Sequence, residues 1–248
     1  MSTAPAADQR RLLDVQELDT RMDQLAHRRR SLPELARLLE LDAQLADLHT
    51  ALVTSQTAVQ DLRREVAKAE ADVEQVRSRA ARDQARLDSG QGSAKDLQAL
   101  TSELTSLARR QADLEDVELE VMERLEAHEG ALAEVTKAHE ALVAQKQVVE
   151  ADRDAAYREI DAEAERVRAQ RATTAEGLDA GLVTLYERLR GQLGGLGAAP
   201  LRGRRCEGCR LELNPLDLDA IRSKGEDQVV RCEECGRILV RLPEPAKG

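Results

Sequence analysis

The stretch "LLELDAQLADLHTALVTSQTAVQDLRREV" at residues 38–66 decides the fold of this chain, because its apolar residues recur with the period of a helix. Alternate steps of three and four residues lead from Leu38 to Leu87, and thirteen of the fifteen positions met are apolar, with no slip of phase. A heptad pattern held this long predicts a coiled-coil helix. It also excludes disorder for this segment, which the composition alone leaves open.

The composition of the chain also limits the kind of hydrophobic core and of binding partner that it can have. Of its 248 residues 34% are charged, and its only aromatic residues are two tyrosines. Since a globular core normally takes much of its buried area from aromatic rings, this chain must bury small aliphatic side chains along a stripe. The net charge of −10 argues against broad attraction to nucleic acid or to an anionic membrane surface.

Two interruptions divide the helical pattern. An earlier stripe through residues 15–25 ends shortly before Pro33, which suits the first turn of a new helix and predicts a short break there. The long stripe then stops at "LDSGQGSAKDLQAL", where glycines and serines break the helix. Ser93 and Asp96 offer a start resembling a capping box for the next helix.

The lengths of the segments indicate how the helices pair. The outgoing segments 8–31 and 34–87 together match the 78 residues from 95 to 172, through which the apolar pattern resumes. This predicts a mainly α protein with a long antiparallel coiled-coil hairpin, roughly 115 Å in length at 1.5 Å per residue. A parallel homodimer is the alternative use of such heptads, but the turn and the matched arms favour the intramolecular hairpin.

Every cysteine of the chain lies in two CxxC pairs near its end, Cys206 with Cys209 and Cys232 with Cys235. Two CxxC pairs separated by 22 residues have the spacing of a four-cysteine zinc site, in which each pair forms a turn that directs both sulfurs at one ion. Four sulfurs close the coordination shell, so we expect one structural Zn²⁺ and no open position for catalysis. A redox or iron site and a pair of disulfides are the alternatives.

The residues around the cysteines predict the rest of a small β zinc ribbon. Short strands are expected at "RLEL", "QVVRC" and "RILVRL", with a capped helical turn in "NPLDLDAIRSKG". Gly236 is expected to supply the positive φ of the second knuckle, and Gly208 to do similar work in the first. Because this segment lacks aromatic residues, the metal is expected to supply much of its folding free energy. The predicted domains are a helical hairpin at residues 1–193, with its tip at 88–95, and a ribbon at 194–248.

The expected location of the protein follows from the signals that its sequence lacks. No run of 18 apolar residues exists and the first residues contain no apolar h-region, so a cytoplasmic location is expected. In that reducing compartment, paired thiols are expected to be metal ligands rather than disulfides.

These motifs together resemble the bacterial family of C4-type zinc ribbon proteins that carry a long coiled-coil hairpin. The resemblance covers essentially the whole chain and is most specific at "SGQGSAKDLQALTSEL", "LYERLR" and "CEGCRLEL…VVRCEECGRILV". It implies an adaptor that binds protein partners, among them alternative sigma factors and secretion or flagellar components. RNA binding is also implied as a possibility for members of this family.

We therefore expect a non-enzymatic, zinc-binding scaffold that mediates protein–protein interactions and has no small-molecule substrate. Nucleic-acid binding through the ribbon, in gene regulation, is the alternative. The candidate contact residues in the ribbon are arginines around the first knuckle: Arg202, Arg204, Arg205 and Arg210. The candidate contact residues at the tip are Lys95, Asp96, Leu97 and Gln98. The ribbon carries nearly equal numbers of acidic and basic residues and no aromatic ring to stack on a base, which weighs against nucleic acid.

Overall fold

The computed structural model describes residues 2–242, which form five helices and three short strands. The helices are α1 (Ala6–Arg30), α2 (Pro33–Asp88), α3 (Ala94–Ala175), α4 (Ala180–Gln192) and α5 (Pro215–Ser223). The strands are β1 (Ala198–Arg202), β2 (Arg205–Cys206) and β3 (Ile238–Arg241). The chain divides into two compact units, which we call the ribbon unit (Met1–Leu35 and Ala151–Gly248) and the tip unit (Ala36–Glu150).

In the tip unit, α2 and α3 pack antiparallel. The ion pairs between them show the direction, because the residue number on α3 falls as the number on α2 rises: Asp42–Lys146 at 2.6 Å, Arg63–Glu129 at 2.6 Å, Arg77–Glu115 at 2.6 Å and Arg79–Glu103 at 2.7 Å. Exposed pairs of this kind each contribute only about 0–1 kcal/mol. The apolar seam carries the packing, and its buried members on α2 are Leu38, Leu41, Val59, Leu62, Ala69 and Val73. The predicted antiparallel hairpin is confirmed.

The breaks between helices fall where local sequence demands them. Helix α1 ends at Arg30, and α2 begins at Pro33, as its fixed φ and missing N–H favour. Residues 89–93 connect α2 to α3, and Ser93 and Asp96 form the predicted reciprocal cap, with Ser93 N donating to Asp96 Oδ2 over 3.0 Å. Helix α4 begins after Asp179, whose carboxylate accepts from the Leu182 N–H over 2.8 Å.

The ribbon sheet has the strand order β2-β1-β3, with β1 antiparallel to β2 and parallel to β3. The strand predicted in "RILVRL" is present as β3, whereas "RLEL" and "QVVRC" make only isolated bridges. The central strand β1, "AAPLR", was missed because Pro200 argues against a central strand. Pro200 lacks an N–H to donate, but its carbonyl accepts a hydrogen bond from the Glu207 N–H over 3.1 Å.

The first residues of the chain pair with a segment of the ribbon that lies more than two hundred residues later in the sequence. Ala4 N donates to Asp227 O over 2.8 Å, and Val229 N donates to Ser2 O over 3.0 Å. The side chain of Gln9, in α1, adds hydrogen bonds to the carbonyls of Ala4 and Glu226. The ribbon is therefore joined to α1 as well as to α4, the helix that precedes it. The predicted division at residues 193 and 194 stays a prediction, and residues 243–248 of the predicted ribbon lie outside the described range.

Candidate metal centre

The four cysteine sulfurs converge on one point. The ligand atoms of Cys206, Cys209, Cys232 and Cys235 all lie within 4.8 Å of one another. The Cys206–Cys235 and Cys209–Cys232 sulfur pairs are each 3.9 Å apart. A tetrahedron with Zn–S bonds of about 2.3 Å places its sulfurs about 3.8 Å apart. The cysteines thus fit one Zn²⁺ held by four sulfurs, and the predicted structural zinc site is confirmed.

The two CxxC knuckles are repeats of one hydrogen-bonded turn. In the first, Arg205 Nε donates to Arg210 O over 3.0 Å, and Arg210 N donates to Cys206 O over 2.7 Å. In the second, Arg231 Nε donates to Gly236 O over 2.7 Å, and Gly236 N donates to Cys232 O over 2.8 Å. In this way "RCEGCR" and "RCEECG" build the same frame around their cysteines, with each residue of the second 26 positions after its equivalent in the first.

Each knuckle places one residue in the left-handed region, and only the second uses glycine there. Gly236 has φ 73°, as predicted, but in the first knuckle the residue with positive φ is Arg210, at 63°. The prediction for Gly208 was wrong, because its φ is not positive. Gly208 is required instead by close packing, since a Cβ there would lie 2.9 Å from both Ala199 Cβ and Arg237 Cδ.

We expect Arg210→Gly to stabilise the zinc-loaded ribbon by about 1 kcal/mol, because it removes a strained non-glycine φ. The matched variant Gly236→Ala should destabilise the ribbon by at least about 1 kcal/mol. The alanine would have to adopt the same positive φ, and its Cβ would lie 3.0 Å from Arg231 Nη2. Urea unfolding of the zinc-loaded proteins measures both changes. A destabilising Arg210→Gly would show that the strain is absent.

The thiols differ in burial and in their affinity for protons. Burial raises the pKa of Cys206, and it raises that of Cys232 to about 12. Burial also raises the pKa of Cys235, but hydrogen bonds from the Arg237 main-chain N–H and side chain, together with the neighbouring cysteines, bring it down to about 7. Because metal binds thiolates, loading the site releases protons.

A second buried cluster joins the ribbon to the helices. Tyr186 of α4 is completely buried together with Leu12 and Val15 of α1 and with Ile238 and Val240 of β3. The ribbon therefore has an apolar core in addition to its metal, and the aromatic ring that its own segment lacks comes from α4. The share of the folding free energy that the metal supplies stays a prediction.

A buried polar network lies beside this cluster. The Asp19 side chain, 5% exposed, accepts hydrogen bonds from the Tyr186 hydroxyl over 2.8 Å and from Arg171 Nε over 3.0 Å. Arg190 Nε lies 3.7 Å from the same carboxylate. Gln16, one turn earlier in α1, accepts from the Gly197 N–H over 2.7 Å. The sequence gives no signal for these two α1 residues, since a polar residue beside an apolar stripe ordinarily faces solvent.

Tyr186 makes the stability of the ribbon unit sensitive to high pH. Burial, and then the hydrogen bond to the Asp19 carboxylate, raise the pKa of Tyr186 well above its ordinary value. A raised folded-state pKa means that the contribution to stability is complete below the unfolded pKa of about 10 and is lost as the pH rises through the folded-state pKa.

In a Tyr157→Phe variant, Tyr186 is the only tyrosine, and its ultraviolet tyrosinate signal should develop only at higher pH than in the unfolded chain. The melting temperature should also fall above about pH 10 more steeply in Tyr157→Phe than in Tyr186→Phe. A tyrosinate signal near the ordinary pKa in the folded Tyr157→Phe protein would contradict the burial of this hydroxyl.

The structure brings the four predicted ribbon arginines together. Arg202 and Arg205 are paired across the β1–β2 hairpin, Arg204 lies in its turn, and Arg205 is hydrogen-bonded to the carbonyl of Arg210. All four are exposed, and none forms an ion pair with another residue in the range 2–242. Their role as contact residues stays a prediction.

The four predicted tip residues lie in the first turn of α3. Lys95, Asp96 and Gln98 are exposed and Leu97 is half-buried. Hydrogen bonds from the Ser93 hydroxyl and N–H hold the Asp96 carboxylate in the cap and lower its pKa. Contact with a partner through this turn stays a prediction.

An antiparallel helical hairpin with a four-cysteine ribbon defines the class of coiled-coil zinc-ribbon proteins. The chain belongs to the family of the CT398-like coiled coil hairpin domain, which residues 15–194 match, and residues 205–239 match the C4-type zinc ribbon domain.

Relatives and solved structures agree with this assignment. An uncharacterized protein of Mycobacterium tuberculosis is 39% identical over 239 residues, which cover 96% of this chain and 97% of that protein. A solved structure from Mycobacterium smegmatis has a TM-score of 0.85 at 38% identity and covers 96% of this chain and 100% of its own. CT398 from Chlamydia trachomatis has the same fold, with a TM-score of 0.68 at 22% identity over 95% of this chain and 98% of its own. In the described part of this chain, no helix is both long and apolar enough to cross a membrane.

Proposed function

We propose that this chain is a non-enzymatic, zinc-binding adaptor of the cytoplasm that mediates contacts between other proteins. The observation that carries this proposal is the closed sulfur tetrahedron, because it leaves the metal no position for a substrate or an activated water. Within residues 2–242, the four cysteines are also the one grouping of three or more His, Cys, Asp or Glu side chains that converge as metal ligands.

Two surfaces are the candidate contact sites of the adaptor. The ribbon presents the four arginines of the first knuckle, together with two exposed leucines, Leu211 at 51% and Leu216 at 81%. Arginine is enriched at protein–protein contact sites. The tip presents the first turn of α3. One surface is in the ribbon unit and the other in the tip unit, as an adaptor with two partners requires.

Photo-crosslinking in the native cell tests the adaptor proposal. A crosslinking amino acid replaces Gln98 in one variant and Arg204 in another, and the exposed Glu120, on α3, in a matched control. We expect discrete protein adducts from the first or the second variant and none from the control. Adducts no more frequent at Gln98 and Arg204 than at Glu120 would count against both contact surfaces.

Nucleic-acid binding is the second candidate function, and it is favoured by the exposed arginine cluster, which forms no ion pair within residues 2–242. Titration of labelled RNA and single-stranded DNA, across salt, against the wild type and the Arg202/Arg204/Arg205→Ala variant decides this. Affinity tighter than about 10 µM at moderate salt, lost in the variant, would establish it. Weaker binding, or equal binding by both proteins, would exclude the arginine surface as a nucleic-acid site.

A further inference from the structure

Arg237 joins the metal centre to the segment that follows α4, residues 193–197, which we call the linker. Its guanidinium donates from Nε to Leu196 O over 2.9 Å and from Nη2 to Leu193 O over 3.2 Å. The main-chain carbonyl of the same residue accepts a hydrogen bond from the N–H of the zinc ligand Cys232 over 2.9 Å. One half-buried residue thus binds a zinc ligand through its main chain and the backbone of the linker through its side chain.

Comparison of the two knuckles shows that a knuckle does not need this arginine. Cys232 N donates to Arg237 O over 2.9 Å, as Cys206 N donates to Leu211 O over 3.1 Å, so Leu211 is the equivalent residue of the first knuckle. The Leu211 side chain is 51% exposed and the first knuckle forms with it. The side chain of Arg237 therefore serves the junction with the linker rather than the turn around the cysteines.

The linker also has backbone hydrogen bonds to its neighbours, from Gly195 N to Arg190 O and from Ile238 N to Gly197 O, each over 2.9 Å. Gly194 and Gly195 adopt positive φ, and glycine carries no side chain to pack. From the α1 side, Gln16 donates to Gly195 O over 3.0 Å and accepts from the Gly197 N–H. Gln16 and Arg237 therefore hold the linker from its two sides. Gly208 leaves the space for the Arg237 stem, since a Cβ there would lie 2.9 Å from Arg237 Cδ.

We propose that Arg237 is a positioning residue that couples metal loading of the ribbon to the order of the linker and the end of α4. With zinc bound, the second knuckle is fixed in place and so is Arg237, which is hydrogen-bonded to its Cys232 N–H, and the carbonyls of the linker keep their donors. Without zinc, the second knuckle no longer fixes Arg237, and the linker keeps the contacts of Gln16 and its own backbone hydrogen bonds but loses the donors of the guanidinium. The order of the linker then depends on whether the ribbon holds zinc.

Amide hydrogen exchange of the full chain, with zinc and after chelation, tests this coupling. In the wild type we expect zinc to slow exchange of peptides covering residues 189–198 by at least tenfold. In Arg237→Met, which keeps the apolar stem and removes the donors, this zinc-dependent protection should be at least threefold smaller, while peptides covering the knuckles remain protected by zinc. The matched control Arg205→Met loses a donor inside the first knuckle and should keep the wild-type protection of residues 189–198.

A smaller reduction than threefold in Arg237→Met, or no zinc dependence of the linker in the wild type, would overturn the proposal. Cobalt(II) absorption of the same samples checks that the site is loaded as a sulfur tetrahedron. If Arg237→Met takes up no metal, Arg237→Lys decides by the same threefold criterion, because one ammonium group does not reproduce the fork of donors. Failure of both variants to take up metal also overturns the proposal, since Arg237 would then be needed to assemble the site itself.

Discussion

Replacement of Cys232 by Ser is expected to unfold the ribbon and to release its zinc. Cys232 is a buried ligand of the site, and structural zinc sites contribute apparent binding free energies of about 10–16 kcal/mol to the folding of their domains. Because Ile238 and Val240 are buried in one cluster with Leu12 and Tyr186, the loss should extend to the helices. We expect less than half an equivalent of bound zinc, and rapid proteolysis or hydrogen exchange across β1 to β3.

Glu233→Ser is the matched control for this prediction, because the residue lies in the same knuckle, is exposed and is not a ligand. It should keep one equivalent of zinc and a melting temperature close to that of the wild type. A Cys232→Ser protein with normal zinc content and normal stability would show that the metal is not what holds the ribbon together.

Replacement of Asp19 by Ala should lower the free energy of unfolding by about 3 kcal/mol. The substitution leaves Arg171 and Arg190, both only 24% exposed, without their shared carboxylate, and removes the acceptor of the buried Tyr186 hydroxyl. Removal of one partner from a buried charge network is costly because the remaining charges stay desolvated.

Asp23→Ala provides the control one turn further along α1. The Asp23 carboxylate also pairs with Arg190, at 2.8 Å, but its side chain is 52% exposed, so its loss should cost less than about 1 kcal/mol. Urea unfolding monitored by circular dichroism compares the two variants. Losses that agree within about 1 kcal/mol would contradict the distinction between the buried and the exposed carboxylate.

The features that the sequence predicts well are those with a local or periodic cause. The seam of α2 follows from a heptad pattern that starts at Leu38, and the break before Pro33 follows from the geometry of proline. The metal centre follows from two CxxC pairs, since the turn within each pair already determines where both sulfurs point.

The features that the sequence does not predict depend on contacts between distant segments. Gln16 and Asp19 are ordinary polar residues of a helix until α4 and the linker are packed against them. Strand β1 is hidden by its proline, and its place in the sheet depends on β3, almost forty residues later. Arg237 looks like any surface arginine, and its role emerges only from comparison with Leu211 in the repeated knuckle. Residues 2–4 carry no apolar pattern that would announce their pairing with residues 227–229.

Four sulfurs close the metal centre, which makes the metal structural. Zinc X-ray absorption of protein purified without chelator measures this coordination. We expect one first shell of four sulfurs at about 2.3 Å. A first shell in which a nitrogen or oxygen at about 2.0–2.2 Å replaces one of the sulfurs would overturn this assignment, because it would reveal a coordination position open to chemistry.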